Sequence, residues 1–337
     1  MKVGLFIGAQ HPAGVDMVMR ADETVAQVRA ARDAGFDSVW LAQHLLTGPD
    51  QFLQPLPLLS RLIPETGTMQ IGTALLLLPL VNPVMVAEDY ATVDVLSGGR
   101  LVLGVGLGYR DEEYSAFGVE KPTRAQRFEE SIQLLRRLWT EESVNFDGDF
   151  YQLSDARIAI RPVQQPHPPI WIGCAADVAV RRAARLGDAW LATNMSSISL
   201  MERQRELYDD ERAVHGLGAP ADVVKIVETV IGMTPAEQEP GLTTLEAKYE
   251  TYLKWGMGDN VPGGMGSPRD IWELGHDRFL LGDPETVVKG CLEHQKRLGL
   301  SHLILRVNFP GMSHTAIMRS IELLGTSVLK EVRDGSA

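Results

Sequence analysis

Short, nearly continuous apolar runs alternate along most of the chain with segments whose apolar residues recur every three or four positions. VGLFIG (3–8) precedes ADETVAQVRAARDAG, where Val25, Val28 and Ala31 fall at helical spacing and Gly35 supplies a stop. FDSVWLA (36–42) leads into a proline-punctuated helix through PLLSRLI, and MQIGTALLLL (69–78) into the helix VMVAEDYATVDVLSGG. LVLGVGLG (101–108) is followed, after a polar loop, by the amphipathic RAQRFEESIQLLRRLW (124–139). NFDGDFYQL (145–153) reads as a hairpin turning at Asp147-Gly148. The rhythm then resumes: PPIWIG (168–173) with helix 177–187, DAWLATN (188–194) with helix 199–214, and VVKIVETVIGM (223–233). A long polar stretch, 235–282, interrupts it before the helix DPETVVKGCLEHQKRLG, the strand SHLILRVNF (301–309) and the closing helix HTAIMRSIELLGTSVLKEV.

That makes eight strand candidates, each followed by a helix or by an insertion and then a helix. Strands that are apolar throughout suit a parallel sheet covered on both faces. The predicted fold is therefore α/β: one (β/α)8 barrel domain over residues 1–337, with a hairpin insertion at 145–167 and a lid-like insertion at 235–282 after the seventh strand. An open doubly wound sheet is the alternative.

Gly104, Gly106 and Gly108 end the fourth strand and invite a dinucleotide-loop reading. It fails, because the sixth position is Tyr109 counted from Gly104 and Asp111 counted from Gly106, and no helix opens directly after the run. Two readings remain: a floor on which a flat ligand lies, or relief of crowding inside the barrel.

Composition narrows the partners. A formal charge of −12 and a pI near 5.2 argue against nucleic acid and anionic membrane surfaces as partners, while leaving room for a local basic pocket. The apolar run Ile71–Val81 is too short to span a bilayer, and MKVGLFIGAQHPAG reads as a first strand, not a signal peptide. Cys174 and Cys291 match no zinc or redox spacing and read as free thiols, which with the other signals predicts a cytoplasmic protein.

Barrel active sites form where strands end, so His44, Gln43, Tyr109, Arg110 and Asn194 become candidates by position. Arg110 could fork onto a phosphate or pair with Asp111, Glu112 or Glu113. Cys174, Ala175, Ala176 and Asp177 open a helix whose free amides could cradle an anion, Asp177 otherwise being the helix N-cap. Gln43 and Asn194 are each a ligand-binding amide or a loop amide. Within 235–282, Trp255, Met257, Met265 and Trp272 could give a substrate apolar cover and exclude water.

LSGGRLVLGVGLGYRDEEYSAFGV, Arg124 with RFEESIQLLRRLW, and RPVQQPHPPIWIGCAADVAVRRAARLGDAWL together closely resemble the bacterial luciferase-like superfamily of flavin-dependent monooxygenases and deazaflavin-dependent relatives. GFDSVWLAQH, IGTALLLLPLVNPVMVAEDYATVD and FLLGDPETV fit as well, so the resemblance covers nearly the whole chain. It implies a (β/α)8 barrel, a homodimer, His44 as an acid/base facing flavin or substrate, and a bulge with a non-prolyl cis peptide at Ala74 and Leu75 behind the flavin ring. It also implies an arginine where this chain has Leu107 and hydroxyls where it has Ala175 and Ala176, so phosphate binding must rest on other groups.

The expected activity is that of a two-component monooxygenase, using reduced FMN from a separate flavin reductase to oxygenate a small organic substrate. Hydride transfer with the deazaflavin coenzyme F420 and a non-catalytic flavin-binding role are the alternatives. A metal-dependent barrel hydrolase is disfavoured: such sites commonly carry a His-x-His after the first strand, and here His11 is followed by PAGV.

Overall fold

In the computed structural model, which describes residues 1–217, 222–262, 264 and 270–335, the apolar runs become eight parallel strands. They are β1 (Lys2–Ile7), β2 (Ser38–Leu41), β3 (Gln70–Thr73, resuming at Leu76–Leu77), β4 (Leu101–Gly106), β5 (Ile170–Cys174), β6 (Ala189–Ala192), β7 (Asp222–Ile231) and β8 (His302–Arg306). Each pairs with the next, and β8 pairs with β1, so the sheet closes on itself. The open-sheet alternative is overturned by that closure.

Alternate residues of each strand point inward. Phe6, Trp40, Val102, Trp171, Leu191, Val224 and Ile304 form a buried inner cluster, in which Trp40 stacks on Trp171 with ring centroids 4.8 Å apart. The Trp40 indole N–H donates to Ser38 Oγ at 2.7 Å, and Ser38 Oγ lies 2.7 Å from His302 Nε2, so the polar atoms at this level are satisfied. These rings plug the lower barrel and leave the C-terminal mouth free.

The helices α1 (Met17–Ala34), α2 (Pro55–Leu62), α3 (Pro83–Ser97), α4 (Arg124–Thr140), α5 (Asp177–Leu186), α6 (Ile198–Val214), α7 (Pro235–Lys254), α8 (Pro284–Leu298) and α9 (His314–Ser327) follow their strands. Helix α1 starts at Met17, before its periodic stretch, because the Asp16 carboxylate accepts from the amides of Val18 and Met19. Gly35 ends it in the left-handed region at φ 87°.

Three local expectations are corrected. A short helix, Asp111–Ala116, opens soon after β4. The hairpin strands are Val144–Asp147 and Gln152–Ala156, and Asp147 pairs with Gln152, so the turn is longer than Asp147-Gly148. Its loop wraps the Glu130 carboxylate of α4, which accepts from the amides of Asp149, Phe150 and Tyr151. The stretch 235–282 contains the 20-residue α7, a turn at Met257–Asn260, a short helix Ile271–Gly275, and a strand Leu280–Gly282 paired with the end of β7. Leu245, Tyr249, Val261, Ile271, Leu274 and Phe279 give it a core of its own against Val230 and Phe309.

The glycine question is settled at β3. Gly72 pairs with Val102 and Leu76 with Val105, so four steps of β3 oppose three of β4, which is a bulge. A Cβ on Gly104 would lie 1.9 Å from the Thr73 carbonyl oxygen, while Cβ atoms on Gly106 and Gly173 would lie 2.6 Å and 2.1 Å from Leu75 Cδ1. Gly104 and Gly106 therefore make room for the bulge. The floor reading fails for both.

Because the atom met by a new methyl at residue 104 is backbone, Gly104→Ala should lower unfolding stability by about 2–3 kcal/mol, as overpacking of tight cores does. Urea unfolding checks this; a loss below about 0.5 kcal/mol, the range of neutral surface changes, would contradict it.

Candidate active site

A cavity of about 230 Å³ occupies the mouth of the barrel at the C-terminal ends of the strands. Of the residues singled out in sequence, Gln43, His44, Ala74, Leu75, Gly108, Tyr109, Cys174, Ala175, Ala176, Asn194 and Met257 line it. Arg110, Asp177, Trp255 and Trp272 do not, and Met265 lies outside the described residues.

One wall is the β3 bulge, where the Ala74–Leu75 peptide bond is cis, as the resemblance implies. Gln43 clamps it: its amide N–H donates to the Leu75 carbonyl at 3.2 Å, and its Oε1 accepts from the Leu77 amide at 3.0 Å. Gly108, at φ 80°, carries the chain out of β4 beside Leu77.

His44 stands three residues past the end of β2 in an aromatic cage, with Phe52, Tyr109, Tyr252 and Trp255 rings all within 6.1 Å of its own. Its Nδ1 lies 3.6 Å from Glu113 Oε1, too far for a hydrogen bond, and is buried without a partner. The Tyr109 hydroxyl is likewise buried and unpartnered, and burial holds this phenol far above its ordinary range. Two polar atoms thus wait at one side of an apolar bowl.

Arg110 is not a free phosphate ligand. Its Nη1 and Nη2 donate to the carbonyls of Leu45 (2.6 Å) and Leu46 (3.2 Å), and Nη1 sits 3.6 Å from Glu113. Glu113 also accepts from the Leu45 amide at 2.9 Å, so the pair fixes the loop that carries His44. Trp255 covers Arg110 at 4.3 Å and stacks on Tyr252. It shields the site from outside the cavity wall, while Trp272 is 51% exposed and supplies no cover.

Opposite His44, Ala176 is the N-cap of α5 and has no side-chain cap, so amides of the first turn are open. Asp177 is the first helical residue, not the cap. Its carboxylate is forked by Arg203 at 2.8 and 3.0 Å, which together with Gln204 holds it below the usual carboxylate range. Arg124, quoted within the resemblance but not singled out, lines the cavity, as do Ala175, Ala176 and Ala179, and its Nη1 donates to the Lys121 carbonyl at 2.9 Å. Cys174 is buried, and burial pushes its thiol up to about 12, so it stays protonated and serves as packing.

The sequence reading missed a buried ionic group at the β7–β8 side. Glu228 Oε1 accepts from Lys248 of α7, from Asn194 and, at 3.2 Å, from the Tyr249 hydroxyl. Arg306 Nε lies 3.9 Å from Glu228 Oε2, and the cationic neighbours hold Glu228 below its ordinary range despite burial. Asn194, expected at a ring edge, is instead committed to Glu228 and, at 2.8 Å, to Tyr249. The available signal was period: Ile226 and Glu228, like Ile304 and Arg306, share the inward face of their strands.

Lys225 points outward between β7 and α8, bonded to the Ser196 carbonyl. Burial, with Arg278 nearby, pushes it down to about 7.

The chain belongs to the luciferase-like monooxygenase family, whose model matches residues 1–302. It is 30% identical over 305 residues to an FMNH(2)-dependent dimethylsulfone monooxygenase of Pseudomonas putida, covering 85% of this chain and 80% of that one. It is 36% identical over 210 residues to an F420-dependent glucose-6-phosphate dehydrogenase of Amycolatopsis mediterranei, covering 59% of this chain and spanning 60% of the relative's length. Among solved structures, monooxygenase RslO1 from Streptomyces bottropensis superposes with a TM-score of 0.84 at 21% identity, covering 98% of this chain and 99% of that one. The family is one of enzymes, with relatives named as oxidoreductases and monooxygenases.

Two stability experiments test these placements. Arg110→Ala leaves Glu113 buried without its cation and should cost about 3 kcal/mol in urea unfolding, whereas a loss under about 1 kcal/mol would show the pair to be dispensable. For Lys225, the unfolded chain binds the extra proton between the folded value near 7 and an unfolded value of about 10.4, so stability rises with pH across that window. Lys225→Met should flatten the rise by up to about 1.4 kcal/mol per pH unit between about pH 8 and 9.5, and identical slopes would refute the assignment.

Proposed function

We propose that this protein is the oxygenating component of a two-component monooxygenase, receiving reduced FMN from a separate reductase and oxygenating a small, largely apolar organic molecule. The observation that carries the reading is the bowl itself. Its walls are mostly Ala, Leu, Ile, Val, Met and aromatic side chains, with Gln43, His44, Thr193 and Asn194 among them; no carboxylate among the described residues lines it, and its cations, Arg124 and Arg306, lie on different sides. A polyhydroxylated substrate would lose more water there than the few polar groups of the wall replace.

The residues present fit a flavin. The Ala74–Leu75 face offers a flat apolar backing, and the unpartnered Tyr109 hydroxyl and His44 Nδ1 supply polar atoms beside it. Arg124 and the open amides of the α5 first turn would hold the phosphate in place of the missing hydroxyls. When bound, reduced FMN supplies the electrons for dioxygen activation, one oxygen atom going to substrate and the other to water. The chain binds and orients the reactants, and Met257 and Val261 close the bowl against water. His44 holds and delivers a proton at the imidazole, whose Nδ1 lies 3.6 Å from the Glu113 carboxylate.

Turnover with reduced FMN and oxygen, against anaerobic hydride transfer with the deazaflavin, tests the reading. His44→Ala should reduce oxygenation by about 100-fold, a typical general acid/base contribution, while FMN affinity stays within about 3-fold. Unchanged turnover would remove the proton role. Activity with the deazaflavin alone would overturn the monooxygenase assignment, as would tight FMN binding without oxygen consumption under any reductant.

A further inference from the structure

We infer that the substrate carries a monoanionic oxyacid group, a carboxylate or sulfonate, seated on Arg306 at the β8 side of the bowl. The inference rests on the reading of this bowl as the substrate site and adds the substrate's chemical class. Arg306 is only 7% exposed, yet it lines the cavity. Its plane is set by the Phe6 ring, 4.6 Å from the guanidinium carbon. The Nε donates to the Asn308 carbonyl at 3.4 Å, and the Tyr252 hydroxyl also meets the group. That hydroxyl is itself spent on Gln10 Oε1 at 2.6 Å. A guanidinium has five donors, and among the described residues no carboxylate forks onto this one.

Charge counting leads to the same place. Two fully or nearly buried cations, Lys248 and Arg306, share the single carboxylate of Glu228, whose Oε1 is taken by Lys248 and whose Oε2 has no hydrogen-bond partner. The other acids nearby are committed elsewhere: Glu113 to Arg110 and the Leu45 amide, and Asp50 to Gln10 at 2.7 Å. Burial and the Arg306 charge push the Lys248 ammonium down to about 7, so around neutral pH its protonated fraction leaves the group with one positive charge in excess, which is costly in a dry interior. An anion entering the bowl removes that excess and gives the guanidinium a planar partner. Arg124 does not compete for this role, because it opens α4 after β4, on the other side of the barrel from β8.

The probes are cyclohexanecarboxylate, cyclohexanesulfonate and the neutral cyclohexanecarboxamide, titrated calorimetrically into the protein with and without FMN. At least one anion should bind about 10-fold or more tighter than the amide, the equivalent of about 1.4 kcal/mol. Arg306→Gln should shrink that preference to about 2-fold or less, and Arg306→Lys, keeping the charge but not the fork, should retain part of it. Equal binding of anions and amide, no anion binding, or an undiminished preference in Arg306→Gln would each overturn the inference. Should Arg306→Gln fail to fold, the wild-type comparison and Arg306→Lys decide. Anion preference without FMN binding would defeat the flavin reading and leave the subsite standing, and FMN binding without anion preference would do the reverse.

Discussion

The site depends on how little room there is at the top of a closed eight-stranded barrel. Inward side chains from neighbouring strands would fill it, as Trp40 and Trp171 fill the level below. Here β4 and β5 present hydrogen atoms at residues 104, 106 and 173, and the volume released is taken by the β3 bulge and the Leu75 side chain. The bulge turns a strand end into a flat wall. Every other feature of the bowl is arranged relative to that wall: Gln43 clamps it, His44 stands three residues past β2, and the α5 turn follows β5 at the same cavity.

Electrostatics divides the bowl into unlike sides. Near β2 and β4 the charges cancel locally, Arg110 against Glu113, and serve to fix the His44 loop. Near β7 and β8 they do not cancel, because Glu228 faces both Lys248 and Arg306. Lys248 belongs to α7, so the helix inserted after β7 is tied to the barrel floor by a buried ion pair as well as by the apolar contacts of Leu245 and Tyr249. Removing either partner of such a pair strands the other in a dry interior.

Much of this was legible in the sequence. The alternation of apolar runs with amphipathic segments fixed the barrel, and knowing where strands end placed His44, Tyr109, Cys174 and Ala175 at the mouth. Three things were not legible, each for a physical reason. Arg110 and Asp177 carry charge at the right positions, but short-range partners, the Leu45 and Leu46 carbonyls and Arg203, claim them first. Lys225, Glu228 and Arg306 sit inside runs read as uniformly apolar, where only the alternation of faces separates the inward pair from the outward lysine. Helix α7 lay within the stretch read as a polar, lid-like insertion, and Pro240 and Gly241 dilute its helical pattern; in the folded chain the proline stands in the second turn, and Gly241 allows close approach to Val230. Its Leu245, Tyr249 and Tyr252 stripe was the signal available.

In the proposed complex the bulge wall carries the flavin ring while the α5 turn and Arg124 hold its phosphate. A crystal structure of the FMN complex measures this directly. The ring should pack on Ala74 and Leu75 with the phosphate within hydrogen-bond reach of Arg124 and the amides after Ala175. A phosphate seated on Arg306, or a ring away from the bulge, would contradict it.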